Sequence, residues 1–186
     1  MPEDGLFKDK YRIKSIRLPD WDYGSDGAYF ITICVKNREC VFGEIINGKI
    51  KLSKIGEIVF NEWIKTKQIR SNVELDEFVV MPNHFHGIVV IKCDGVETHC
   101  NASLRAQIKN KFGPQSKNLP AIIRGFKGTT TKQIHLTGFD NFSWQPRYYE
   151  HIIRDENELN SIRRYITNNP LKWELDRNNP QSLKNH

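Results

Sequence analysis

Two histidines, His84 and His86, are separated by a single residue within a run of strand-forming residues. On a β-strand, residues i and i+2 point to the same face, so both imidazoles should converge there while Phe85 points to the opposite side. Two neutral imidazoles on one face can bind a divalent metal ion. The tight Pro82-Asn83 turn before the pair favours such a site. A plainer interpretation, two polar side chains on a sheet face, stays open.

A second candidate for chemistry is Tyr165, which lies four residues before Asn169 on a predicted helix. Residues four apart share one helix face, so the phenol and the carboxamide should aim at the same point. Tyr165 could act as a nucleophile on a phosphate that a nearby metal polarises, and the Asn169 oxygen suits Mg²⁺ or Mn²⁺. The alternative is an ordinary core tyrosine whose hydroxyl reaches water.

The elements that must position these residues follow from hydrophobic patterning and turn residues. Strands are predicted at 28–35, 44–46, 49–52, 74–81 and 84–92, with an extended stretch at 143–153. Ser53, Pro120 and Asp155 mark the starts of three helices. The order strand, hairpin, helix, two strands, helix, strand, helix predicts an α+β fold. Its core should be one central antiparallel β-sheet of ferredoxin-like type with helices packed on it.

The length of 186 residues predicts a single domain, 1–186. Within it we expect an N-terminal arm at 1–27, a basic surface loop at 93–118 and a C-terminal tail at 171–186. No apolar run approaches the ~20 residues of a membrane span, and the first residues lack the layout of a signal peptide. The four cysteines form no CxxC pair. These features predict a soluble cytoplasmic protein without membrane partners.

The positive charge of the chain is concentrated in one segment. Lysine and arginine number 28 against 22 acidic residues, a net charge of +6. Residues 98–139 contain seven basic and no acidic residues; removing these seven from the 28 leaves 21 basic against 22 acidic residues. A segment that carries the whole positive excess favours contact with a nucleic acid. The alternative is a solvated loop with incidental lysines.

Several motifs, taken together, resemble one family. The run MPNHFH at 81–86 resembles the HUH signature, and YITNNP at 165–170 resembles the catalytic-helix signature of single-tyrosine HUH transposases. Further similar runs are AYFIT at 28–32 and WQPRYYEH at 144–151. The resemblance extends from about residue 17 to residue 173 and is greatest to the REP-associated tyrosine transposases.

The resemblance implies a fold of the HUH endonuclease type and a metal-dependent DNA transposase. Members cleave and rejoin single-stranded DNA at hairpin-forming repeats through a 5′-phosphotyrosine, without a nucleotide cofactor. By that likeness Tyr165 is the nucleophile, and His84, His86 and Asn169 hold Mg²⁺ or Mn²⁺. The protein would be cytoplasmic, and nucleoid-associated when bound to DNA. Some relatives are homodimers that exchange the catalytic helix and others act as monomers, so the assembly stays open.

Other residues could contact the DNA. Arg147 fits a phosphate clamp, while Tyr148 and Tyr149 fit base stacking, the core or a competing nucleophile. Arg124 and Lys127 are plausible phosphate contacts or ordinary solvated side chains. Two other functions remain: a non-catalytic single-stranded nucleic-acid-binding protein, and a domesticated, inactive transposase descendant. A replication initiator or relaxase is disfavoured by the short chain.

Overall fold

The computed structural model describes Tyr23 and residues 26–92 and 117–182. Most of the N-terminal arm and nearly all of the basic surface loop therefore lie outside the described residues. The strands are β1 (Gly27–Cys34), β2 (Gly43–Ile46), β3 (Lys49–Leu52), β4 (Val73–Val80), β5 (His84–Ile91) and β6 (Tyr149–Ile153). The helices are α1 (Lys54–Ile69), α2 (Leu119–His135) and α3 (Glu156–Asn168), with short 3₁₀ turns at Lys36–Arg38 and Pro170–Leu175.

Four strands form one antiparallel sheet in the order β4-β5-β1-β6. Along the chain its elements run β1-α1-β4-β5-α2-β6, which is the ferredoxin-like arrangement. The remaining strands, β2 and β3, pair as a separate hairpin between β1 and α1. The predicted α+β fold with a central antiparallel sheet is confirmed.

The two faces of the sheet are covered by different helices. On one face, Ile31 and Phe85 belong to a core that also contains Trp63 of α1 and Phe126 of α2. Gly87 lies in this core, where an added Cβ would stand 2.8 Å from the Phe85 ring. The other face packs against α3. Its buried cluster consists of Phe30, Ile88, Ile153 and Ile166.

The turn and cap residues behave as their types predict. Asn47 and Gly48 join β2 to β3 with φ values of 51° and 71°, the left-handed pair that a two-residue hairpin turn of type I′ requires. The Ser53 side chain accepts the Gly56 N–H at 3.1 Å and caps α1. The Asp155 side chain accepts the Glu158 N–H at 2.9 Å and caps α3. No helix in the described ranges is long and apolar enough to cross a membrane.

The C-terminal tail of the sequence analysis is folded in its described part, up to Ser182. After α3, the turn Pro170–Leu175 leads into a segment that returns to the start of β5. There the Asn83 amide donates a hydrogen bond of 2.7 Å to the Asn178 carbonyl oxygen. This return path brings Asp176 beside His84.

Candidate metal and tyrosine site

The alternation of β5 turns both histidines toward the face that α3 covers. His84 and His86 are buried, with 0% and 2% of their surface exposed, while Phe85 packs into the opposite core as predicted. Across the sheet, His84 is paired with Cys34 and His86 with Thr32. The two imidazoles therefore stand at the centre of the molecule, on the second strand of the sheet.

A hydrogen-bond network fixes the tautomer of His84. The Asn83 amide group donates to the carbonyl oxygens of Arg38 at 3.0 Å and Asn178 at 2.7 Å. Its carbonyl oxygen must then face His84, where it accepts from Nδ1 at 2.9 Å. Since Nδ1 carries the proton, Nε2 presents a lone pair. An outer hydrogen bond of this kind is what orients a metal-binding histidine.

The two Nε2 atoms have the separation of neighbouring ligands on one metal ion. They are 3.0 Å apart, and an octahedral ion with ligands at about 2.0–2.1 Å places adjacent ligand atoms about 2.9 Å apart. The His86 ring is held from its other side by a hydrogen bond of 2.8 Å between Nδ1 and the Thr32 hydroxyl. The geometry of both rings fits a divalent ion.

Burial keeps both imidazoles neutral. The pKa of His84 falls to about 3, mainly because of burial and in smaller part because of the nearby guanidinium groups of Arg177 and Arg38. Burial also holds the pKa of His86 well below its usual range, with His84 adding to the effect. Metal-binding imidazoles must be deprotonated, so the pocket is electrostatically prepared for a cation.

Asp176 adds a carboxylate to this pair. Its Oδ2 atom lies 3.9 Å from His84 Nε2, and its side chain is only 6% exposed. Ligand atoms of the two histidines and of Asp176 all lie within 4.8 Å of one another. The other carboxylate oxygen accepts the Asn178 N–H at 2.6 Å, which fixes the group. The sequence analysis did not single out Asp176, because no periodicity or motif links it to the histidines.

Tyr165 reaches the same point from α3. Its hydroxyl lies 3.4 Å from His86 Nε2, and its side chain is half-exposed. The ring meets Phe30 edge-on at a centroid distance of 5.9 Å. Burial and the Asp176 carboxylate raise the pKa of the Tyr165 phenol, and a hydrogen bond with Asn169 partly offsets the rise. Tyr165 is therefore a neutral phenol near pH 7.

Asn169 is buried beneath Tyr165, with 3% of its surface exposed. Its carbonyl oxygen Oδ1 makes no hydrogen bond within the described part of the chain. Such an orphaned acceptor costs about 1–3 kcal/mol and is a recognised sign of an ion or water. The two neutral imidazoles and the Asp176 carboxylate form a donor set that suits a divalent metal, and the orphaned Asn169 oxygen is a further candidate donor.

Residues 147–149, which lead into β6, do not all lie on the same side of the sheet. Tyr149 is half-exposed on the histidine side, where it is paired with Thr32 across the sheet and meets the Phe30 ring at 6.3 Å. Tyr148 instead packs against the core on the opposite side. Arg147 is exposed at the rim of a groove that Tyr149 also lines.

The two basic residues predicted on α2 are placed differently. The ammonium group of Lys127 donates to the Gln145 carbonyl oxygen at 2.6 Å, which ties α2 to the segment that leads into β6. Arg124 is exposed on α2, the helix whose Phe126 packs on Phe85, across the sheet from the histidines. The structure therefore does not bring Arg124 to the candidate site.

The chain therefore has a ferredoxin-like sheet that presents two histidines to a tyrosine on a neighbouring helix. No protein-family model matches the chain. An uncharacterized protein of Haemophilus influenzae is 43% identical over 166 residues, which cover 88% of this chain and 91% of that protein. A second protein of that organism, named "Putative REP-associated tyrosine transposase", is 26% identical over 153 residues, covering 81% of this chain and 74% of its own.

Among solved structures, a REP-associated tyrosine transposase bound to a REP hairpin has a similar fold, with a TM-score of 0.56. It is 23% identical and covers 85% of this chain and 73% of its own. In sequence the chain is thus similar to a protein named a putative REP-associated tyrosine transposase, and in fold to a solved REP-associated tyrosine transposase.

Proposed function

We propose that this protein is a metal-dependent transposase that cleaves and rejoins single-stranded DNA through Tyr165, at hairpin-forming repeats. The main observation in support of this proposal is that three groups converge. The Tyr165 hydroxyl lies 3.4 Å from His86 Nε2, and that nitrogen lies 3.0 Å from His84 Nε2. The named relative and the solved structure with its bound REP hairpin support a DNA substrate.

The reaction requires no external energy source. The Tyr165 oxygen attacks the scissile phosphorus, the bond from phosphorus to the 3′ oxygen breaks, and the phenolic proton is balanced by protonation of that oxygen. The products are a 5′-phosphotyrosine and a free 3′-OH. Because the phosphotyrosine conserves the phosphodiester bond, attack by a 3′-OH reverses the step and joins strands.

The residues around Tyr165 prepare it for this step. The Phe30 ring lies against one edge of the phenol and limits its orientation, and Asn169 hydrogen-bonds to the hydroxyl. That hydrogen bond favours the phenolate, which opposes the effect of burial. Mg²⁺ or Mn²⁺ bound by His84, His86 and oxygens of Asn169 and Asp176 would supply polarisation of the scissile phosphate.

The nucleophile is tested with a labelled single-stranded oligonucleotide that contains a hairpin, incubated with Mn²⁺. We expect the wild-type chain to form a protein–DNA adduct that survives denaturing electrophoresis, and Tyr165→Phe to form none while still binding the DNA. Tyr149→Phe is the matched control and should retain the adduct, because this half-exposed tyrosine also lies near the histidines. An adduct in Tyr165→Phe would refute the assignment.

A further inference from the structure

We propose that Arg38 is a positioning residue of the candidate metal site, whose side chain holds the C-terminal segment where Asp176 meets His84, an inference that rests on the proposed function. Arg38 Nη1 donates a hydrogen bond of 2.9 Å to the carbonyl oxygen of Arg177, the residue that follows Asp176. Asp176 Oδ2 itself lies 3.9 Å from His84 Nε2. The Arg38 side chain is therefore attached one residue away from the carboxylate that completes the donor set.

Arg38 and Asn83 donate to two consecutive carbonyl groups of the C-terminal segment. The oxygen of Arg177 accepts from Arg38, and the oxygen of Asn178 accepts from the Asn83 amide at 2.7 Å. The same amide donates to the Arg38 carbonyl oxygen at 3.0 Å, and Asn83 is fully buried. The turn at Arg38, the start of β5 and the C-terminal segment are thus joined in one closed network. Without the Arg38 side chain, the Arg177 oxygen loses this donor while the bonds of Asn83 remain.

The backbone at Arg38 has the strained conformation of a residue that its surroundings hold in place. Asn37 and Arg38 have φ values of 57° and 56°, in the left-handed region that residues other than glycine seldom adopt. Such a conformation persists only where neighbouring contacts determine it, and it is commonest next to functional sites. Just before the turn, the N–H of Val35 donates to the Asn83 carbonyl oxygen at 2.9 Å. This bond and the two of the Arg38 carbonyl and side chain fix the turn against the site.

The charge of Arg38 by itself would oppose the binding of a cation. The guanidinium groups of Arg38 and Arg177 both lower the pKa of His84, and the same field repels a divalent ion. The two arginines differ in their contacts, because Arg38 donates through its side chain whereas Arg177 accepts through its main-chain oxygen. Neutral substitutions at the two positions therefore separate the effect of charge from the effect of position, since the two effects have opposite signs.

Calorimetric titration of the full-length protein with MnCl₂ at pH 7 compares Arg38→Met with Arg177→Met. Arg38→Met removes the donor and the charge, and we expect Mn²⁺ affinity to fall at least about fivefold, because the lost charged hydrogen bond outweighs the relieved repulsion. Arg177→Met removes the same charge but keeps the acceptor, so affinity should stay equal or rise. Arg38→Gly suits a left-handed backbone and should show the same loss as Arg38→Met, which excludes strain in the turn as its cause.

Hydrogen exchange of the metal-free protein measures the hold on the segment without any metal. The N–H of Asn178 donates to Asp176 Oδ1, and the N–H of Asn179 donates to the Asp176 carbonyl oxygen. These amides exchange only when the segment opens. In Arg38→Met, peptides that cover residues 176–182 should exchange at least about tenfold faster than in the wild type, as expected for loss of a charged hydrogen bond. Arg177→Met should exchange as the wild type does.

A double substitution shows whether Arg38 acts through Asp176. In the Asp176→Asn background, Arg38→Met should cause little further loss of Mn²⁺ affinity, because effects that share one group are not additive. An undiminished further loss would overturn the proposal, as would unchanged exchange or an Arg38→Met chain that binds Mn²⁺ as tightly as the wild type. A wild-type chain that binds no Mn²⁺ would refute the proposed function as well. Normal Mn²⁺ binding and normal adduct formation in Arg38→Met would refute the role of Arg38 alone.

Discussion

Asn169 and Asp176 offer different oxygens to the histidine pair. The Asn169 carboxamide is neutral, whereas the Asp176 carboxylate adds a negative charge close to two uncharged imidazoles. Two histidines with one carboxylate are a donor set that binds Mn²⁺ and Fe²⁺ well, while Mg²⁺ prefers oxygen ligands throughout. We therefore expect Asp176 to contribute more to metal affinity than Asn169 and the site to favour Mn²⁺ over Mg²⁺.

Asp176→Asn tests this expectation at the level of a single charge. The substitution keeps the shape of the side chain, and we expect Mn²⁺ affinity to fall at least about tenfold because the carboxylate no longer offsets the charge of the ion. Titration calorimetry at pH 7 measures the effect without any cleavage. Glu174→Gln removes the same charge from an exposed position two residues away and should bind Mn²⁺ normally. Unchanged affinity in Asp176→Asn would remove Asp176 from the ligand set.

The contrast between the two histidines and Asp176 shows what local sequence patterns can predict about the site. The i, i+2 rule predicted that His84 and His86 share a face, and the structure confirms that placement. Asp176 and Asn83 were missed because their positions depend on the return path of the chain. The amide of Asn83 is oriented by carbonyl oxygens that lie 45 and 95 residues away in sequence, which no short pattern encodes.

At the scale of elements, the site depends on how α3 docks on the sheet. Leu159, Ile162 and Ile166 supply its apolar stripe. A bidentate ion pair joins α3 to β4. In this pair, Arg163 Nε lies 2.9 Å from Asp76 Oδ1 and Arg163 Nη2 lies 2.6 Å from Asp76 Oδ2. The pairing of β4 with β5 shifts register between Leu75 and Phe78, and Asp76 lies in this irregular stretch. The sequence predicted both elements but not this irregularity.

Asp76→Asn should lower the free energy of unfolding by about 1 kcal/mol at pH 7, since a bidentate ion pair is lost. The Arg163 guanidinium lowers the pKa of the Asp76 carboxyl. A lowered carboxyl pKa contributes stability above the unfolded value near 3.9, and this contribution is lost as the pH falls through the folded value. The difference between wild type and variant should therefore shrink below about pH 4.

Urea denaturation at pH 7 and pH 3 measures the two differences. Glu156→Gln is the matched control, because Glu156 is a more exposed carboxylate that lies 3.4 Å from Arg163 Nη1. It should change stability by less than about 0.5 kcal/mol. A penalty in Asp76→Asn that is as large at pH 3 as at pH 7 would mean that the ion pair does not hold α3.

At the scale of the whole molecule, the described cationic groups that act on His84, Arg38 and Arg177, lie outside the basic segment at 98–139. Of residues 98–139, those from 117 onward are described, and Arg124 lies on the helix across the sheet from the histidines. Arg38, Arg147 and Arg177 lie nearer to the site. Net charge along a chain predicts a polyanionic partner but not the side of the fold that faces it.

Within one chain, the Tyr165 hydroxyl lies 3.4 Å from His86 Nε2. We therefore expect a complete site in each monomer rather than one built by exchange of α3 between two copies. Mixing Tyr165→Phe with a His84→Ala, His86→Ala variant tests this. If α3 were exchanged, a mixed dimer would combine one intact histidine pair with one intact tyrosine and recover up to about a quarter to a half of the wild-type adduct. A site within one chain predicts no recovery at any ratio, even after the mixture is unfolded and refolded together to allow exchange. Wild-type chain diluted with Tyr165→Phe is the control, and its adduct should fall in proportion to the wild-type fraction.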